Sequence, residues 1–311
     1  MRLNSIAIEV FLNVPHSFKA DLLLVLVTLI AAFGWVFSKE ALAGLPPLLF
    51  LAVRFILAGL VLSIAVGGRW RRLNLVQLGL ALKVGVVMSV AMMFWVLGLN
   101  SSTHLGESAF INSLAFILVP LLVRGLFGET QPLFTWLALP VALLGLGLLT
   151  LKGSLQLEHS QLLFMVAATL FALHICLITR LSGKVPVLAL SAIQLLMVGL
   201  FALLASIVFE TWPSRVSNEI WGWVLVSALI ATSLRFLLQI YAQGLTSASH
   251  AALILTLEPV FTALLASVWF AERMSLAQLL GCVLVFAAMM ISRTPALLMA
   301  LKNVKRLRRQ R

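Results

Sequence analysis

Acidic side chains are scarce in this chain. Its 311 residues include ten Asp and Glu against 22 Lys and Arg, and charged residues of both signs make up only 10%. A soluble protein carries roughly 25%. That shortage, beside 62% hydrophobic residues, excludes an ordinary soluble enzyme or binding domain. Cysteine is scarce as well: Cys176 and Cys282 fall inside apolar blocks, at no metal-ligand spacing, and are expected to be packing residues. The ten acids are scattered, and no two form a close helical pair inside an apolar block, as a carboxylate-held metal or an intramembrane hydrolase would need. No Walker-type glycine loop is present, so ATP hydrolysis is not expected. The sequence therefore points to a non-enzyme with no cofactor and no metal. The start, MRLNSIAIEVFLNVPHSFKAD, has no cleavage-site pattern and is expected to be a short cytoplasmic extension over 1–20.

What the chain has in quantity is long apolar runs, such as DLLLVLVTLIAAFGWVF and LFTWLALPVALLGLGLLTL. Runs near ~20 residues match the thickness of a bilayer core at about 1.5 Å of rise per residue. Charges, turn residues and prolines divide them into ten spans, at 21–38, 48–66, 75–98, 105–127, 133–151, 160–180, 185–208, 220–243, 248–270 and 275–292. With the N-terminus inside, the inner segments hold fifteen Lys/Arg, including seven in the basic tail 293–311, and the outer loops hold four. That bias places both termini in the cytoplasm. The net charge of +12 then reflects anionic lipid at the inner face rather than nucleic acid.

The two halves are related. SAFINSLAFILVPLLVRGLFGE (108–129) aligns without gaps to AALILTLEPVFTALLASVWFAE (251–272), with seven of 22 positions identical, including Glu129 with Glu272. Pro46 pairs with Pro186, and Gly59 with Gly199. Each half holds five spans, an odd number, so the duplicated units insert with opposite topologies. The expected fold is an all-α membrane protein, ten transmembrane helices as two inverted five-helix repeats over 21–151 and 160–292. A site at the repeat interface near the midplane is a transporter architecture.

AFGWVFSKEALAGLPPLLFLAVRFILAGL (32–60) resembles the opening of the drug/metabolite transporter superfamily, specifically its EamA-type exporters, through Trp35, Phe37, Lys39, Pro47, Arg54 and Ala58. LEPVFTALLASVWFAE, followed by Gly281, is similar to that family's second signature. In the first half Ala115 and Phe116 stand where Glu258 and Pro259 would be, so the halves are expected to be functionally unequal. The resemblance covers about residues 21–292. It implies a secondary transporter in the bacterial inner membrane, usually an exporter of small metabolites or amino acids. It leaves an importer, an exchanger and a homodimer open.

A charge at the centre of a span costs roughly 2.5–3.5 kcal/mol on the insertion scale, so such residues face the interior, pair, or line a wet cavity. Thr232, Arg235, Gln239 and Gln243 recur at i, i+3, i+7 and i+11 and are expected on one helix face, as a cavity wall or as interhelical glue. Glu258 lies about 15 Å into span nine by helical rise, with Arg235 at similar depth. The two form either an inert ion pair or a site where Glu258 exchanges a proton or meets a substrate ammonium. Pro259 frees backbone carbonyl groups beside it. Arg54, about 9 Å into its span, and Lys83, about 12 Å in, are weaker candidates for the substrate or coupling site; Arg54 can instead snorkel to the outer interface, while Lys83 is deep enough to want a partner. Glu107 is expected near water, His174 to be a hydrogen-bonded packing residue or, as a weaker site candidate, a proton relay, and Trp35 to stack on a ligand or to pack. Glu129 and Glu272 are expected at opposite faces as repeat landmarks. Three span cations (Arg54, Lys83, Arg235) against two acids (Glu107, Glu258) favour a solute carrying a carboxylate or another anion.

Overall fold

A computed structural model describes residues 16–101, 105–150, 159–269 and 275–309, and every regular element among them is helical. The first seven are α1 (His16–Leu42), α2 (Pro47–Val66), α3 (Leu75–Ser101), α4 (Leu105–Phe127), α5 (Leu133–Thr150), α6 (His159–Leu181) and α7 (Val187–Phe209). Two further rods are interrupted. α8 (Asn218–Val226) runs through a π-wound stretch, Ser227–Leu234, into α9 (Arg235–Gln243), and α10 (Ala248–Leu255) is followed after a two-residue turn by α11 (Glu258–Trp269). The last is α12 (Leu276–Arg309). Seven described stretches are long and apolar enough to cross a membrane, and Ile111–Phe127, Leu133–Leu148 and Leu276–Ser292 are shorter apolar helices.

Burial follows the logic of a lipid solvent. Ile64, Val208, Phe209 and Val268 are exposed, whereas Thr28, Ser38, Arg54, His174, Gln194 and Thr232 are buried. Apolar side chains lose nothing by facing acyl chains, while polar ones need partners inside the protein. α12 continues through Arg309 into the basic tail, which the sequence had set apart from the span. Between Arg293 and Arg309 that segment holds no glycine and is rich in Leu, Ala, Lys and Arg, all good helix formers.

α2 packs along α7, and α5 along α12. α6 lies against α3 and α4, α1 lies against α8, α9, α10 and α11, and α3 contacts α7 as α2 contacts the π-wound stretch. Glycine sets the closest approach. A Cβ at Gly59 would sit 2.7 Å from Leu196 Cγ and 2.9 Å from its backbone N; one at Gly199 would sit 2.6 Å from Ile56 Cγ1 and 2.7 Å from its N. The start of α2 is held by α7's end: Glu210 accepts from the N–H of Leu48 (2.7 Å) and of Leu49 (2.8 Å). Two unpaired donors at a helix N-terminus thus meet a carboxylate, which the helix dipole also favours.

Candidate functional site

The breaks in the two interrupted rods position the polar residues. Pro259 has no N–H, so the carbonyl of Leu255 loses its helical partner, and the chain makes a turn in which Leu257 N–H donates to Ile254 O at 3.0 Å. α11 therefore begins at Glu258, deep in the bundle, and the carboxylate sits in its first turn, where the helix dipole stabilises negative charge. In the other rod, Thr232 Oγ1 donates to Ser227 O (2.9 Å) and Ser233 Oγ to Ala228 O (3.0 Å), five residues back in each case. Arg235 follows directly after this π-wound stretch. Such π segments recur at functional sites.

Between these breaks and α1, α2, α3, α4 and α6 lies a cavity of about 100 Å³. Trp35 Nε1–H donates to Glu258 Oε1 at 2.9 Å, and Arg235 Nη2 to Glu258 Oε2 at 3.4 Å. The Trp35 ring meets Trp95 edge-on at 5.0 Å, and the Arg235 guanidinium lies over Phe236. Arg54 forms a second polar group. Its Nε donates to Thr232 Oγ1 (2.6 Å) and its Nη1 to Ser38 Oγ (2.8 Å), between the rings of Phe50 and Phe55. These hydrogen-bond partners are neutral, and Arg54 is only 7% exposed. Gly34 lets the π-wound stretch approach α1, since a Cβ there would come within 2.9 Å of Ala231 Cβ. His174 shares a hydrogen bond with Gln194 Oε1 at 3.0 Å.

The structure brings Trp35, Arg54, His174, Arg235, Gln239 and Glu258 to this one cavity. Of the two alternatives for Arg54, the structure takes the inward one: it does not snorkel outward, because Ser38 and Thr232 accept its hydrogen bonds inside. The expected stripe over 232–243 divides: Thr232, on the π-wound stretch, turns to Arg54, Arg235 and Gln239 line the cavity, and Gln243 is buried away from its lining. Lys83 is not brought to the cavity; its side chain is exposed on the outer side of α3. Glu129 is half-exposed and pairs with Arg180. The side chain of Glu107 and all of Glu272 lie outside the described residues. Cys176 is buried and Cys282 half-buried, both free thiols. Ser38, Asn112 and Gln194 belong to the site or its support and were not anticipated. Asn112 and Gln194 carry the signal that could have found them, a carboxamide inside an apolar run. Among the cavity residues named here, two guanidinium groups face one carboxylate.

The EamA-like transporter family matches the chain twice, over residues 18–151 and 160–294. An uncharacterized transporter of Archaeoglobus fulgidus is 28% identical over 277 residues, covering 88% of this chain and 85% of that protein. The uncharacterized transporter YoaV of Bacillus subtilis is 24% identical over 278 residues, covering 86% of this chain and 94% of its own. A solved structure titled "Crystal structure of protein" superposes with a TM-score of 0.75 at 19% identity, over 88% of this chain and 98% of that one, which shows a shared fold.

Proposed function

We propose that this chain, which belongs to the EamA-like transporter family, is a ten-span secondary transporter that exports a small polar, anion-bearing solute by alternating access. The carrying observation is the largely buried group Trp35–Glu258–Arg235 beside the buried Arg54 around one cavity. Burying three charges inside an apolar bundle is costly, and a cavity that holds two cations and one anion is electrostatically short of one negative charge. A solute carboxylate or similar oxyanion supplies it.

Inverted repeats give the mechanism. In support, the helix pairings keep their pattern when the first five rods are exchanged for the last five: α2 with α7 and α5 with α12 map onto themselves, and α3 with α6 maps onto the eighth rod with α1. Gly59 meets Leu196 as Gly199 meets Ile56, a reciprocal contact expected of a pseudo-two-fold axis. Rocking about the α2–α7 contact would open the cavity to either side. The setting proposed from the family resemblance is the bacterial inner membrane, and the Lys/Arg bias puts both termini in the cytoplasm.

The test compares metabolites in the medium of cells overproducing the wild type and Glu258→Gln, at matched expression. A compound enriched by the wild type alone names the solute and places Glu258 in transport. Equal enrichment by both keeps the exporter and returns Glu258 to a structural ion pair. Depletion from the medium by the wild type would replace export with uptake, and strict dependence on a counter-solute would make it an exchanger. Proton coupling through Glu258 requires that Glu258→Gln lose its response to a pH gradient with binding intact.

A further inference from the structure

The cavity's charged groups already have hydrogen-bond partners: Arg54 has Ser38 and Thr232, Glu258 has Trp35 and Arg235. Three atoms on the cavity-lining residues are left over. Asn112 Oδ1, Gln239 Oε1 and Arg235 Nε are buried and have no hydrogen-bond partner. Leaving a buried acceptor or donor unpaired is destabilising, and folded proteins keep few such groups. Two acceptors and one donor around one cavity form a pattern that a ligand can complete. Gln243, one turn further along α9, provides an internal comparison: both of its amide atoms are also unpaired, but it does not line the cavity.

We infer that the carboxamides of Asn112 and Gln239 accept hydrogen bonds from the transported solute and restrict it to small oxyanions that also carry N–H or O–H donors. This rests on the transporter reading of the cavity. The oxyanion meets the guanidinium of Arg235, and the donors turn the two amides toward the cavity and pair them. Met88, Met92, Trp95 and Phe116 receive the solute's apolar body. A plain carboxylate leaves both amides unpaired, and a site built to hydrogen-bond a donor rejects the analogue that lacks it far more strongly than an apolar pocket rejects a missing methylene. Asn112 stands on α4 and Gln239 on α9, one in each half of the chain. A solute pairing both therefore bridges the halves that must move against each other.

The experiment uses the full chain in lipid vesicles and matched pairs of labelled solutes: L-leucine with 4-methylpentanoate, L-phenylalanine with 3-phenylpropanoate, and L-lactate with propionate. Wild type is expected to move the donor-bearing member at least about tenfold faster. In Asn112→Leu and in Gln239→Met that preference falls to about twofold or less, while Gln243→Met keeps it. Without ligand, both cavity variants unfold at or above the wild-type temperature, because an unpaired polar group has been removed. Equal movement of both members by wild type overturns the inference and leaves the transporter. So does a preference that survives in the cavity variants. A lowered unfolding temperature with the preference intact assigns the amides to structure instead. Movement of neither member of any pair removes this inference together with the reading of the cavity as a transport site.

Discussion

Gly199→Ala places a methyl carbon 2.7 Å from the backbone N of Ile56 and 2.6 Å from its Cγ1. The side-chain contact can relax by rotation, but the backbone contact can relax only if α2 and α7 separate by several tenths of an ångström. Overpacking of this kind costs about 1–3 kcal/mol. Alanine also recovers about 0.5–1 kcal/mol over glycine inside a helix, which blunts the effect. Gly125→Ala removes that ambiguity, because a Cβ there meets nothing within 4 Å and only the propensity gain remains. The difference between the two variants isolates the overpacking, about 1–3 kcal/mol, or roughly 5- to 150-fold in the folding equilibrium at 1.4 kcal/mol per tenfold. Gly59→Ala should behave like Gly199→Ala. The double variant should lose less than the sum, since helices already spread by one methyl admit the second more easily. Unfolding in mixed micelles by a denaturing detergent reads these differences. A Gly199→Ala protein as stable as Gly125→Ala would refute the close α2–α7 approach and the pseudo-two-fold relation proposed from it.

Trp35→Phe keeps the ring edge against Trp95 and removes the N–H given to Glu258, so thermal unfolding should report a loss of about 1.5–3 kcal/mol. The same change in a Glu258→Gln background should cost less; strict additivity would deny the contact. Glu210→Ala should cost about 1–3 kcal/mol by freeing the Leu48 and Leu49 N–H groups, with Glu210→Gln losing about half of that by the same unfolding assay. Arg54→Met removes a buried cation whose hydrogen-bond partners are neutral, and Ser38 and Thr232 keep backbone carbonyls to donate to. Its stability should therefore be unchanged or raised by up to about 2 kcal/mol. Flux of an anionic solute should nevertheless fall at least about tenfold, and unchanged flux would take Arg54 out of the site.

The apolar blocks made the helices legible, because a run long enough to cross a bilayer has few other folded uses. The nearness of Arg235 and Glu258 was legible too, from depth along consecutive spans. Rotation about the helix axis was not. α3 is apolar on both its lipid-facing and its buried side, so no periodicity showed that Lys83 points outward, while Arg54, a cation of comparable depth, points in. The even stripe from Thr232 to Gln243 assumed an α-helix throughout, and the π winding over Ser227–Leu234 rotates Thr232 out of it. Trp35 and Glu258 lie 223 residues apart, and Arg54 and Thr232 178 apart; no local pattern encodes either contact.

Solute flux in vesicles tests the central claim most directly, with wild type, Glu258→Gln and Arg235→Met reconstituted at equal amounts and assayed with the compound enriched in the medium of wild-type cells. Counterflow by the wild type, reduced at least about tenfold in both variants while both remain folded at the assay temperature, is the expected result. Undiminished flux in both variants would contradict the assignment of this cavity as the transport path.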